Sequence, residues 1–183
     1  PTHGVVLRYD THGPFDDRKS YAAYDAGHTG GMVTRGFYGA VFDGRYAYFV
    51  PRQIDMDHYH SRILRYDTHG PFDDDANWAV HDAGEVHSQQ SAAFDGRYVY
   101  FVPRQLDTVE YHSRILRYDT QGPFDDAGSW AARDAGEKHS QQSAAFDGRF
   151  IYGAPVCDDD AFHGRIIRYD TLAEGSFALK SSD

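Results

Sequence analysis

Gln89-Gln90-Ser91-Ala92-Ala93-Phe94-Asp95-Gly96-Arg97-Tyr98-Val99-Tyr100-Phe101-Val102-Pro103 places two short segments around an Asp-Gly pair, the second of them aromatic and β-branched. That combination is a strong local signal for a β-hairpin, because Asp-Gly accommodates the tight turn and the flanking side chains suit a pleated, half-buried surface. Working outward, a polar connection (104–111) leads to a third segment at 112–119. The turn Thr120-Gln121-Gly122-Pro123-Phe124-Asp125-Asp126 then leads to a fourth, outer strand at 129–133. Gly and Pro interrupt this stretch too often for a helix of ordinary length.

The unit repeats. Phe-Asp-Gly-Arg begins at Phe42, Phe94 and Phe146, and Arg-Tyr-Asp occurs at Arg8-Tyr9-Asp10, Arg65-Tyr66-Asp67, Arg117-Tyr118-Asp119 and Arg168-Tyr169-Asp170. His87 through Arg97 recurs unchanged as His139 through Arg149. Each unit must bury its apolar face largely against its neighbours, so the chain reads as one array over residues 1–183, with a half unit 1–29 and units 30–83, 84–135 and 136–183.

Four antiparallel strands per unit, at a spacing of about 50 residues, predict an all-β fold of β-propeller type with four-stranded blades. A β-prism, a trefoil-like barrel and an open sheet solenoid are the competing architectures. The Gly-and-aromatic punctuation resembles that of kelch-like propellers, with paired glycines at Gly30-Gly31, where later units carry Ser88-Gln89 and Ser140-Gln141. The resemblance covers nearly the whole chain at the level of propeller repeats in general. The first half unit supplies only the third and fourth strands, giving about three and a half blades: a partial propeller, or half of a seven-bladed oligomer. The expected partner is therefore another copy or the remainder of the propeller, and Pro1 in place of Met fits a longer or processed chain.

A formal net charge of -10, spread through Asp-rich turns without a basic stripe, argues against nucleic acid and anionic membrane as partners. Cys157 is the single cysteine, so no intrachain disulfide forms. No stretch reaches the roughly 20 apolar residues of a membrane span, and the N-terminus carries no signal-peptide pattern. The chain reads as soluble, cytoplasmic or secreted without disulfides.

Two regions carry candidate chemistry. The inner strands present Gln89, Gln90 and Ser91, then Gln141, Gln142 and Ser143, with Phe37 and Tyr38 at the corresponding positions of the earlier unit. Amides facing an axial channel with aromatic rings beside them suit sugar hydroxyls and ring faces. The loop face gathers His58, His60, His87, His112, His139 and His163 with acidic neighbours, which makes a divalent cation the one cofactor to consider. The competing reading has His60, His112 and His163 locking a repeated turn. Asp16-Asp17, Asp73-Asp74-Asp75 and Asp125-Asp126 lack the ligand spacing of an EF-hand and read as turn and cap residues.

Residues present once in every unit, the Arg-Tyr-Asp set with Arg45, Arg97 and Arg149, read as structural clamps. The leading functional reading is a non-catalytic binding propeller of lectin-like type, with a glycan or a protein loop as ligand. A carbohydrate-active hydrolase or lyase using Asp57, Glu110 or Asp159 with His58 or His60 is one alternative. A structural or protein-interaction module is the other.

Overall fold

The computed structural model describes residues 2–84, 88–105, 110–134, 136, 138, 140–157, 161–172 and 179–181. Its strands form four antiparallel sheets arranged as a partial propeller. A two-stranded sheet, β1 (Val5–Tyr9) and β2 (Tyr21–Asp25), is followed by three four-stranded meanders. These are β3 (Phe37–Phe42), β4 (Tyr46–Pro51), β5 (Arg62–Asp67) and β6 (Trp78–Asp82); then β7 (Gln89–Phe94), β8 (Tyr98–Pro103), β9 (Arg114–Asp119) and β10 (Trp130–Asp134); then β11 (Gln141–Phe146), β12 (Phe150–Pro155), β13 (Ile167–Asp170) and β14 (Leu179–Ser181). The first strands of successive meanders lie beside one another: Gly39 of β3 approaches the Gln90 carbonyl, and Ser91 Oγ of β7 accepts from the Ala144 N–H of β11 at 3.3 Å. The architecture is propeller-like and does not single out the kelch-like family.

Each hairpin is built as its Asp-Gly pair requires. Asp95 Oδ1 accepts from the backbone N–H groups of Arg97 (2.8 Å) and Tyr98 (2.6 Å), while Oδ2 accepts from the Tyr100 hydroxyl at 3.0 Å. Asp43 and Asp147 do the same for their hairpins. Gly44, Gly96 and Gly148 sit at φ of 105°, 103° and 103°, a region closed to side chains with a Cβ.

Arg-Tyr-Asp is a local clamp whose roles are divided. Asp67, Asp119 and Asp170 receive two bonds each from Arg45, Arg97 and Arg149 of the preceding hairpin, as in Arg97 Nε to Asp119 Oδ1 at 3.2 Å and Nη2 to Oδ2 at 2.7 Å. The Tyr9, Tyr66 and Tyr118 hydroxyls donate to the carbonyls of Gly13, Gly70 and Gly122, closing the turn that follows. The motif's own arginine stacks on rings: Arg65 lies 4.3 Å from the Tyr46 centroid and 4.1 Å from that of Phe124 in the next blade. The clamp thus ties strands two and three within one blade, and ring stacking reaches across the seam.

The second acidic residue of the Gly-Pro-Phe-Asp-Asp turns is a cap. Asp17, Asp74 and Asp126 accept from the N–H groups of Lys19, Ala76 and Gly128 at the start of single 3-10 turns. Ser129 belongs to such a turn, so the outer strand begins at Trp130, one residue later than the sequence implies.

The core lies in the seams between sheets. Tyr48, Val50 and Ile63 pack against Phe101, Leu116, Tyr118 and Phe124 of the next blade. Tyr24 and Ala26 meet Leu64, Tyr66, Phe72 and Trp78 in the same way, and Tyr100 and Ile115 meet Ile151 and Tyr169. One position of the outer strand stacks on the following blade's tryptophan: Tyr24 on Trp78 at 4.6 Å, His81 on Trp130 at 4.1 Å and 3° between planes. These contacts supply both area and ring geometry. No helix among the described residues is long and apolar enough to cross a membrane.

Candidate functional site

The repeated histidines are local pins. His60 is buried, its Nδ1 accepts from the Arg62 N–H at 3.2 Å and its Nε2 faces the Arg35 carbonyl at 3.0 Å. An N–H directed at Nδ1 requires the proton on Nε2, so the ring donates to Arg35 and is neutral. Burial pushes His60 down to about 4. His112 repeats the arrangement, with Nδ1 3.1 Å from the Arg114 nitrogen and Nε2 2.8 Å from the Ser88 carbonyl. His163 Nδ1 accepts from the Arg165 N–H at 3.2 Å. His60 and His112 therefore stitch the loop between the second and third strands to the linker entering the same blade. With both ring nitrogens engaged, these imidazoles offer no lone pair to a metal.

His58 is exposed and pairs with Asp55 at 2.7 Å. His87, His139 and Asp159 lie outside the described residues. Among the described residues, no group of three or more His, Cys, Asp or Glu is placed to hold a metal ion. Glu110 is paired with Lys138 at 2.7 Å, and Asp57 is exposed in the turn beside Asp55.

The inner-strand candidates separate into two groups. Each four-stranded sheet has a register irregularity at the start of its first strand, between Phe37 and Gly39, Gln89 and Ser91, and Gln141 and Ser143. The unpaired residue is Tyr38, Gln90 or Gln142, and such a bulge re-aims a side chain away from the alternation of the strand. Tyr38, Gln142 and Ser143 are exposed. Gln90 is buried, and its Oε1 has no hydrogen-bond partner.

The flanking residues turn inward instead. The Gln89 amide nitrogen reaches the Phe101 and Val102 carbonyls of its own blade at 3.2 and 3.0 Å. Gln141 lies over Gly153, where neither of its amide atoms is hydrogen-bonded. Phe37 packs edge-on against Phe49 and His60. Ser91 serves as the strut between inner strands described above. The eight residues grouped together by sequence thus have different jobs, set by the bulge.

The structure adds two residues to the exposed end of the inner strands. Arg52 and Arg104 follow β4 and β8 immediately after proline, at the same end as the bulges. The Arg52 guanidinium lies 4.0 Å from the Tyr38 ring centroid and donates from Nη2 to Gln105 Oε1 at 3.3 Å. Arg104 Nη1 reaches Gln142 Oε1 at 3.3 Å and Ser140 Oγ at 3.5 Å. Burial, reinforced by the charge of Arg104, draws Arg52 below the ordinary arginine range. The sequence signal is the repeated Val-Pro-Arg-Gln at Val50–Gln53 and Val102–Gln105, which becomes Ala-Pro-Val-Cys at Ala154–Cys157.

A separate cavity of about 280 Å³ opens between the second and third blades, lined by residues including Ser61, His81, Asp82, Gln89, Arg114 and Trp130. Its apolar wall is the His81–Trp130 stack, and burial pulls His81 below the usual histidine range. The axial end thus brings together an exposed ring, guanidinium groups and an amide. Compared with known proteins, the chain matches no family model and no curated sequence.

Proposed function

We propose that this chain is a non-catalytic binding propeller whose ligand, a carbohydrate, docks at the axial end of the inner strands. The observation that carries this reading is the bulge repeated in three blades, which leaves Tyr38 and Gln142 exposed, with Gln90 buried between them, at the end where Arg52 and Arg104 stand. Tyr38 supplies a ring face for apolar C–H surface of a sugar, and Gln142 supplies a donor and an acceptor for hydroxyls. Related side chains on successive blades provide neighbouring subsites, and repeated weak sites gain through avidity. The test is binding to a panel of oligosaccharides followed by Tyr38→Ala and Gln142→Ala. A loss of about tenfold or more in affinity for each supports the assignment, whereas unchanged binding in folded variants defeats it.

A protein-interaction role is favoured by a different observation. Leu7 and Phe15 of the first sheet are 65% and 76% exposed, where their equivalents Leu64 and Phe72 are 0% and 5% exposed in a seam. Ile166 of the last sheet is 53% exposed against 5% for Ile115. The two ends are opposite halves of the same seam, and the partner that fits each is another blade, from a second copy or from the remainder of a propeller. Solution mass by light scattering tests this: association abolished by Phe15→Ser and by Ile166→Ser supports it, and a monomer at all concentrations excludes the second copy.

A further inference from the structure

The arginines of the clamps and those at the axial end differ in their partners. Arg45, Arg62, Arg97 and Arg149 each meet an aspartate within 3.0 Å. Arg52 and Arg104 meet none among the described residues: their hydrogen-bond partners are the neutral Gln105, Ser140 and Gln142. The Nε atoms of both, like that of Arg35, are buried and without a hydrogen-bond partner. Guanidinium groups seldom stay half-buried without a counter-charge, because the desolvation is uncompensated and two such groups repel each other. A chain carrying 28 acidic and 18 basic residues has carboxylates to spare, yet none of the described ones is brought to this pair.

The surroundings define what would satisfy the pair. Arg52 is held over the exposed Tyr38 ring, and its neighbour in the next blade sits beside the exposed Gln142. The two arginines occupy the same position in consecutive blades, so they present forks one blade apart along the axial end. A ring-and-amide surface with oxyanion forks fits a sugar that bears acidic groups.

We propose that Arg52 and Arg104 form an oxyanion subsite for an acidic oligosaccharide, one carrying carboxylate or sulfate groups. The inference rests on the carbohydrate-binding reading and deepens it. The local contact between guanidinium and oxyanion weakens as salt screens it.

The experiment is titration calorimetry of the full chain with an oligogalacturonate, a sulfated oligosaccharide and a neutral oligosaccharide of equal length, at low and high salt. Binding of at least one acidic probe is expected to exceed that of the neutral probe, to fall with salt, and to drop about tenfold in Arg52→Gln and again in Arg104→Gln. The two acidic arms identify which oxyanion is taken. Arg52→Lys, which keeps the charge and removes the fork, is expected to lie between, and Arg97→Gln to bind like the parent chain. Thermal melts show that each variant is folded.

Equal binding of acidic and neutral probes, insensitive to Arg52→Gln and Arg104→Gln, overturns the oxyanion subsite and leaves the carbohydrate reading standing. Failure of every saccharide overturns both. Arginine-dependent binding of polyglutamate as tight as that of the acidic saccharides overturns the saccharide assignment.

Discussion

The third and fourth blades begin with the same hexapeptide, Gln-Gln-Ser-Ala-Ala-Phe, and the two copies live in different surroundings. In the third blade Gln90 and Ala93 are buried, and Ser91 is half-buried against the neighbouring inner strand. Their counterparts Gln142, Ser143 and Ala145 are exposed. The backbone barely notices: both strands are six residues long, carry the same bulge and pair antiparallel with the same register. Strand formation is local to the hairpin, whereas burial is conferred by the next blade in the row. The first sheet shows the converse, because it offers the face that a preceding blade would cover. An apolar position in this repeat therefore has an energetic role only where a seam exists.

The comparison is broken or sharpened by placing the same substitution in a seam and at an end. Phe72→Ala removes a ring from the first seam and is expected to cost about 3–5 kcal/mol, while Phe15→Ala at the equivalent position costs under about 1 kcal/mol. Urea denaturation of both variants is the measurement. A Phe15 effect as large as that of Phe72, rising with protein concentration, would show that a second copy covers the end.

Acid comes next in size. Burial holds His60 neutral at about 4, whereas the unfolded chain binds this proton near the free-histidine value of about 6.5. Below that value the unfolded state holds more protons than the native state, so stability falls as pH drops from about 6.5 toward 4. The total is about 3 kcal/mol for this one pin. His60→Gln is expected to flatten that slope. An NMR titration placing His60 near 6.5 in the native protein would defeat the assignment.

Ser91→Ala deletes the inter-blade strut and is expected to cost about 1 kcal/mol, with faster hydrogen exchange at the Ala144 N–H. Ser143→Ala is exposed, and its cost should be below about 0.5 kcal/mol. Equal costs would mean that the terminal face is covered in solution. The smallest effect belongs to the Arg97–Asp119 clamp, whose arginine is half exposed. A double-mutant cycle should give a coupling near the limit of detection that shrinks with salt, despite the two-bond geometry.

Much of the candidate site was hidden from the sequence for identifiable reasons. Gln89 and Gln90 are adjacent and identical in type, and only the bulge sends one into its own sheet and re-aims the other. A bulge is one extra residue in a ladder and leaves no compositional mark beyond the repeat itself. Arg52 and Arg104 were legible as a repeated Val-Pro-Arg-Gln, but not as arginines without carboxylate partners, since that requires knowing which aspartates lie near. Conversely, His60 and His112 looked like ligands by type and spacing. Their occupied ring nitrogens became visible only when the loop was laid against its linker.

Residue order alone determined the hairpins, the four-stranded unit, the tandem count and the structural character of Arg-Tyr-Asp. Each depends on groups a few residues apart: Asp-Gly geometry, strand alternation, a hydroxyl reaching the next turn. Tertiary structure alone decided which copies are buried, which arginines find an aspartate and which glutamines reach the axial end. Those outcomes depend on distances between blades about 52 residues apart in sequence, and Coulomb and packing forces act through space rather than along the chain.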